Sequence, residues 1–249
     1  MKPETSPKPS VAADGRLGRA KAWVAAGRDP LAGLYLTIPV FLLYHVGILF
    51  IEARNGVDLV STAAFGLLKA STAAYVGVTL GVAVGVIIAI QILRRRGAMQ
   101  RTEWAPMLIE SLVLAFVVPV VAGSVSQLFS WASGIGSMGV FDKFVMAAGA
   151  GFHEELVFRV GLFGGVLFLL RRFGKLSPTR AALISAVVTS LAFSAVHYIG
   201  PFGDDFQLAS FVFRAMAGGL LAAIYHWRGF AVAVYTHMFY DVFVFFFVG

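Results

Sequence analysis

Residues 70–93 read ASTAAYVGVTLGVAVGVIIAIQIL and contain no charged side chain. At about 1.5 Å per residue, a helix of this length crosses the roughly 30 Å hydrocarbon core of a bilayer. A soluble domain could bury one such segment, but apolar runs of similar length recur from residue 31 to the end of the sequence. The stretch therefore predicts an all-α fold, a polytopic bundle of transmembrane helices.

The composition agrees with a membrane protein. Of the 249 residues, 59% are hydrophobic and 13% are charged, whereas soluble domains carry about 25% charged residues. A net charge of +7 would suggest nucleic acid in a soluble protein, but the basic residues lie mostly in short loops between apolar runs. We therefore expect a lipid bilayer as partner and no nucleic acid. The absence of cysteine excludes disulfides, thiolate metal sites and cysteine nucleophiles.

Hydropathy predicts about seven spans, with an eighth as the alternative. They are placed at residues 31–51, 70–93, 105–131, 144–170, 181–199, 208–227 and 229–248. Residues 1–30 predict a basic cytoplasmic tail, in which residues 19–26 form either a short interfacial helix or a solvated linker. Residues 59–68 are too short to cross the bilayer as a helix and predict an interfacial or re-entrant segment. Residues 31–249 are thus expected to form a single transmembrane domain.

The distribution of basic residues predicts the orientation. With the N-terminus inside, fifteen basic residues lie in the tail and in the inner loops, and only three, Arg54, Lys69 and Lys143, lie outside. This asymmetry follows the positive-inside rule. We therefore expect an N-in, C-out protein of the inner (cytoplasmic) membrane of a bacterial cell.

One apolar span contains a cluster of ionisable residues, in the stretch GFHEELVFRVGLFGG at residues 151–165. A charge at the bilayer centre costs at least about 2.5–3.5 kcal/mol, so these side chains need partners. Glu155 and Arg159 are four residues apart on one helix face, which predicts an ion pair. Glu154 is rotated about 100° from Glu155 and is expected to face another span.

Two later spans offer partners for Glu154. His197 lies in LAFSAVHYIG, and His237 and Asp241 lie four residues apart in YTHMFYDVF, on one face of their helix. Together they predict a buried group of acids and histidines within residues 144–248. Amide hydrolysis needs a general base for a water and donors for the oxyanion, and these residue types can supply both.

The same residues carry a family resemblance. EELVFR matches the motif EExxxR, FSAVH matches FxxxH, and HMFYD matches HxxxN/D, each in a separate apolar span. The chain thereby resembles the CPBP or abortive-infection family of intramembrane proteases, which includes the type 2 CAAX prenyl endopeptidases. The resemblance implies that Glu154 and His197 activate a water, that His237 and Asp241 stabilise the oxyanion, and that the substrate is a membrane-embedded protein or peptide.

One position departs from the family pattern. The best-known eukaryotic-type members carry asparagine where this chain has Asp241, and an ionised aspartate cannot donate a hydrogen bond to an oxyanion. Either Asp241 orients His237, or it is protonated in its apolar surroundings.

Two other functions compete with a glutamic-type protease. The zinc motif HExxH fails because Val157 stands at its second histidine position, yet Glu154, His197 and His237 could form a His2Glu zinc set. We expect no cofactor, with zinc as the alternative. A non-proteolytic binding or transport protein could also use the buried acid and histidines as a proton relay.

The remaining ionisable residues in the spans lead to smaller expectations. His153 is expected to fill space, and His45 has no partner visible in the sequence. Glu110 either reaches toward the inner boundary or lines the cavity, and Arg214 is within reach of Asp204 or Asp205. Counting residues from the span ends, Glu154 lies roughly 15 Å below the outer boundary. We therefore expect water and substrate to enter mainly from the outer side or laterally from the outer leaflet.

Overall fold

The computed structural model describes residues 28–51, 71–95, 104–125, 138–199 and 203–247. Every regular element within these ranges is helical. The α-helices are α1 Pro30–Gly47, α2 Thr72–Arg95, α3 Trp104–Val125, α4 Val140–Gly149, α5 Gly164–Arg172, α6 Pro178–Val196, α7 Leu208–Arg228 and α8 Phe230–Phe247. The segments predicted at residues 19–26 and 59–68 lie outside the described residues.

The predicted transmembrane bundle is confirmed. Six described helices, α1, α2, α3, α6, α7 and α8, are long and apolar enough to cross a membrane. The seventh predicted span is a helical run over residues 140–172, which joins α4 and α5. Its two ends lie within a few residues of the predicted span.

The run over residues 140–172 differs from the uniform α-helix that we expected. Between α4 and α5 the chain forms two π-helical segments, Ala150–Glu154 and Leu156–Phe163. The residue between them, Glu155, keeps right-handed helical dihedral angles (φ −67°, ψ −36°), so the run is continuous. Longer π segments are rare and occur often at functional sites. Here they carry the entire EELVFR motif.

Local signals set the helix starts. The side chain of Asp29 accepts hydrogen bonds from the backbone N–H groups of Leu31 and Ala32, and Pro30 occupies the first position of α1. Ser177 caps α6 in the same way, with Pro178 at its first position. A side-chain acceptor followed by proline is a common helix start, because it satisfies the exposed N–H groups and fixes φ.

Helix α8 lies at the centre of the bundle. It packs against α1, α3, α4, α7 and the first π segment, whereas α2 lies at the periphery and packs chiefly on α1. The approach of α8 to the π segment is close: a Cβ on Gly151 would lie 2.8 Å from the carbonyl oxygen of Val234 and 2.9 Å from Cβ of Met238. Glycine at this position therefore lets the two motif-bearing helices touch.

Contacts between helix ends establish the antiparallel order. Arg28 donates to the carbonyl oxygen of Trp227 at 2.9 Å, and Arg228 makes a bidentate pair with Glu110 at 2.6 and 2.9 Å. The starts of α1 and α3 therefore lie beside the end of α7, and we call this the basic end of the bundle. Glu110 thus reaches toward this boundary, the first of its two predicted alternatives.

Candidate active site

Three helical runs bring an acid and two histidines together inside the bundle. Oε2 of Glu154, in the first π segment, lies 3.9 Å from Nε2 of His197 after α6 and 3.9 Å from Nε2 of His237 on α8. Glu154 and His237 are buried, with 6% and 4% of their surfaces exposed. A separation of 3.9 Å is too long for a direct hydrogen bond but suits one bridging water molecule.

His197 lies just beyond the end of α6, not within a span that continues to residue 199 as predicted. The helix ends at Val196, and His197 is its C-cap. Its Nδ1 lies 2.7 Å from the carbonyl oxygen of Phe193. Because a carbonyl oxygen only accepts, Nδ1 carries the hydrogen, and Nε2 of the neutral ring presents a lone pair toward Glu154.

His237 is oriented by Glu155. Its Nδ1 lies 2.8 Å from Oε1 of Glu155, so the carboxylate accepts the Nδ1 hydrogen and fixes the ring. Its Nε2 lies 3.7 Å from Oδ2 of Asp241, on the same side of the ring as Glu154. The orienting role that the sequence offered to Asp241 is therefore filled at Nδ1 by Glu155, a contact between residues 82 positions apart that no local pattern indicates.

Arg159 holds Glu155 from the other side, which confirms the predicted ion pair. Its Nε lies 3.1 Å from Oε2 of Glu155. The alignment of these two atoms does not meet hydrogen-bond criteria, so the attraction is mainly electrostatic. Nη2 of Arg159 donates to the carbonyl oxygen of Gly218, and the guanidinium lies 4.6 Å from the ring centre of Phe193. The guanidinium, the Glu155 carboxylate and the imidazole of His237 thus form one buried chain.

The structure therefore places all the predicted site residues in one group. We call this group the acid–histidine cluster; it consists of Glu154, Glu155, Arg159, His197, His237 and Asp241.

His153 belongs to a different group, although it precedes Glu154 directly. Its ring packs against Tyr44 and His45 of α1, with centroid distances of 4.7 and 5.1 Å. His45, whose partner the sequence did not reveal, has Nδ1 at 2.6 Å from the hydroxyl oxygen of Tyr75 on α2. We call Tyr44, His45, Tyr75 and His153 the His–Tyr cluster. All four are buried.

Among the described residues, no group of three or more histidine, aspartate or glutamate side chains is arranged to hold a metal ion. The zinc alternative with Glu154, His197 and His237 stays a prediction.

A second set of polar residues lies beside His197, where α6 ends and α7 begins. The backbone N–H of Asp204 donates to the carbonyl oxygen of His197 at 2.8 Å. The Asp204 side chain pairs with Nη2 of Arg214 at 2.5 Å, so Asp204 is the expected partner that reaches this arginine. The Arg214 guanidinium lies 5.3 Å from the ring centre of Tyr198. We call Tyr198, Asp204 and Arg214 the Arg214 group.

Fold and geometry together define a polytopic membrane protein with a buried acid–histidine group. Residues 136–243 match a family model described as type II CAAX prenyl endopeptidase Rce1-like. The match confirms the resemblance carried by the three motifs and indicates an intramembrane protease of the CAAX type in general. It begins just before α4 and ends within α8. No curated protein and no solved structure matches the chain significantly.

Proposed function

We propose that the protein is an intramembrane endopeptidase of the glutamic type, which hydrolyses a peptide bond of a membrane-associated protein or peptide. The observation that carries this proposal is the convergence of the three motifs. Oε2 of Glu154 lies at equal distances of 3.9 Å from Nε2 of His197 and Nε2 of His237. Such a group in the interior of a bundle can hold a water and a carbonyl together.

Glu154 and His197 are the proposed water-activating pair. A water between them would donate one hydrogen to the Glu154 carboxylate and the other to the lone pair on Nε2 of His197. Glu154 takes a proton as the water oxygen attacks the scissile carbonyl carbon, and the protonated acid then delivers that proton to the leaving amine nitrogen. General base and acid catalysis of this kind contributes about 10²–10⁴-fold to a rate.

His237 and Asp241 are proposed to lie on the oxyanion side. With Nδ1 bound to Glu155 at 2.8 Å, a doubly protonated His237 donates its Nε2 hydrogen to the developing oxyanion. Glu155 fixes the direction of that donor before the reaction begins, and such preorganisation is the main source of transition-state stabilisation. Asp241, 3.7 Å from Nε2, either balances the charge of the ring or, when protonated, acts as a second donor.

The convergence also favours hydrolysis over proton transport. A relay carries protons across the membrane through groups spaced along the transport path. The polar groups of the acid–histidine cluster instead surround one point, with both histidines directed at the same carboxylate oxygen. Catalysis by these groups alone, without a metal, is part of the proposal.

Purified protein in vesicles tests the proposal directly. Membrane proteomes of cells that carry the wild type or Glu154→Ala are compared, and proteins that accumulate only with Glu154→Ala are incubated with the reconstituted enzyme. We expect at least one of them to be cleaved by the wild type and to stay intact with Glu154→Ala. If no protein differs and none is cleaved, the proposal of a protease is wrong.

We further propose that the N-terminus lies inside and that the site opens toward the outer end of the bundle. Cysteines introduced at Ile199 and at Trp227, which are exposed at opposite ends, test this in intact cells with a membrane-impermeant thiol reagent. Gly229 is less suitable than Trp227 because its φ of 86° and ψ of −177° strain any other residue. Labelling at Ile199 alone is expected, and labelling at Trp227 alone would invert the topology.

A further inference from the structure

We propose that Arg214 binds a carboxylate of the substrate next to the scissile bond and so selects substrates by that group. The proposal rests on the protease function above and adds a substrate class to it. The carboxylate is either a free C-terminus or the side chain of an aspartate or glutamate.

The position of Arg214 places its charge at the reaction site. It lies on α7 and is linked to His197 through Asp204, whose side chain it binds and whose backbone N–H donates to the His197 carbonyl oxygen. The guanidinium also lies 5.3 Å from the ring centre of Tyr198, the residue that follows His197. A group bound to Arg214 would therefore lie beside the acid–histidine cluster without belonging to it.

Two buried donors in the Arg214 group have no hydrogen-bond partner among the described residues. They are Nη1 of Arg214 and the hydroxyl of Tyr198, and the Tyr198 ring lies under the Arg214 guanidinium at 5.3 Å. Buried polar groups are almost always hydrogen-bonded, and an exception calls for a specific explanation. A polar ligand that arrives from outside the chain supplies the missing acceptor for both.

The chemistry of the free donor favours a carboxylate. Arginine binds carboxylates through its planar fork of N–H groups. Asp204 already binds Nη2 with a half-exposed carboxylate, which holds the guanidinium in place and leaves Nη1 directed elsewhere. Arg214 is thus a fixed cation in which the N–H groups of Nη1 are unsatisfied, and a peptide substrate can carry a carboxylate that accepts from them.

Three matched peptides test the proposal. A peptide that the wild type cleaves in vesicles is prepared with a free C-terminus, with an amidated C-terminus, and with an amidated C-terminus plus an aspartate beside the scissile bond. The kcat and KM of the wild type, Arg214→Gln and Arg214→Lys are compared. Arg180→Gln, an exposed arginine at the basic end, is the control.

We expect Arg214→Gln to raise KM about 10–100-fold for the peptides that carry the recognised carboxylate, as expected for loss of a charge-assisted hydrogen bond. The amidated peptide should show no such rise, and kcat should change little. Whichever of the two carboxylates shows the effect identifies its source. Arg214→Lys keeps the charge but loses the fork, so it should cause a smaller rise confined to the same peptides.

An equal loss for all three peptides would overturn the proposal, because it would assign Arg214 a purely structural role. If Arg214→Gln does not fold, Arg214→Lys decides by the same comparison. The peptides are also titrated onto the Glu154→Gln protein, which binds without turnover. Weaker binding of the carboxylate peptides by Glu154→Gln/Arg214→Gln than by Glu154→Gln alone supports carboxylate recognition independently of turnover, and unchanged binding contradicts it.

Discussion

The two buried polar clusters share one helical run but differ in their chemistry. In the acid–histidine cluster each imidazole has a carboxylate within 4 Å, and Arg159 supplies a compensating charge. In the His–Tyr cluster the imidazoles of His45 and His153 contact tyrosine rings and each other, and His45 meets a tyrosine hydroxyl. His153 and Glu154 are adjacent in sequence, yet they belong to different clusters.

The difference shows that a buried histidine in a membrane helix takes its role from its neighbours. His45 has the Tyr75 hydroxyl as a hydrogen-bond partner and otherwise packs against aromatic rings. His237 instead lies within 4 Å of the carboxylates of Glu154, Glu155 and Asp241, groups that can accept and release protons. Of the two clusters, only the acid–histidine one combines a general base with a donor, the two elements that amide hydrolysis requires.

The largest expected effect is a loss of cleavage on substitution of Glu154 but not of its sequence neighbour His153. Glu154→Gln keeps the side-chain volume but removes the base, so cleavage should fall by about 10²–10⁴-fold with the protein still folded. His153→Gln should retain cleavage, because its ring faces Tyr44 and His45. Turnover by reconstituted protein, with unfolding curves in detergent, measures both. Near-normal turnover by Glu154→Gln would refute the mechanism.

The second-largest effect is expected for Glu155→Gln, which should lower both the stability and the activity of the protein. Glu155→Gln removes the charge that balances Arg159, which is 1% exposed, and weakens the hold on His237. Breaking one partner of a buried ion pair costs about 3–5 kcal/mol, because the other charge is left uncompensated. We expect a lower folding yield, a lower unfolding midpoint and reduced turnover. A protein that is as stable and as active as the wild type would show that Glu155 has neither role.

A smaller effect is expected in the His–Tyr cluster. His45→Phe and Tyr75→Phe each remove one side of the 2.6 Å contact. A double-mutant cycle in chemical denaturant should give a coupling energy of about 0.5–1.5 kcal/mol, the net value of a hydrogen bond. Turnover should stay at the wild-type level in all three variants. A loss of turnover as large as that of Glu154→Gln would assign this cluster to catalysis.

The smallest expected effect is that of metal removal. If the acid–histidine cluster works by proton transfer alone, exhaustive chelation should leave turnover unchanged, and the purified protein should contain metal far below one equivalent. Turnover that disappears with a chelator and returns with zinc alone would instead assign Glu154, His197 and His237 to a zinc site.

The features that could be predicted from the sequence are those that depend on local patterns of residues. Hydropathy placed the span ends within a few residues of the helix ends, apart from the predicted end at residue 131, which lies outside the described residues. A membrane helix satisfies its own backbone and needs only sufficient apolar length. The Glu155–Arg159 pair was predictable for a similar reason, since residues four apart share a helix face. The three motifs identified Glu154, His197, His237 and Asp241 before any geometry was known.

The local pattern did not reveal the π segments. The spacing of Glu155 and Arg159 fits an ordinary α-helix, whereas the structure has two π segments in this run, the first of which packs closely on α8 at Gly151. Helix propensity considers only the residues of one segment, whereas the contact of Gly151 with α8 involves two helices.

The sequence by itself determined a helical membrane protein, the family resemblance and the residues of the candidate site. Only the tertiary structure decided which of them touch: Glu155 rather than Asp241 on Nδ1 of His237, Tyr75 on His45, and Glu110 on Arg228. These partners are separated by 30 to 118 residues. Helix packing within a bilayer brings such residues together through the close approach of small residues and the pairing of buried polar groups. Neither effect produces a regular spacing of residues that could be recognised in a single sequence.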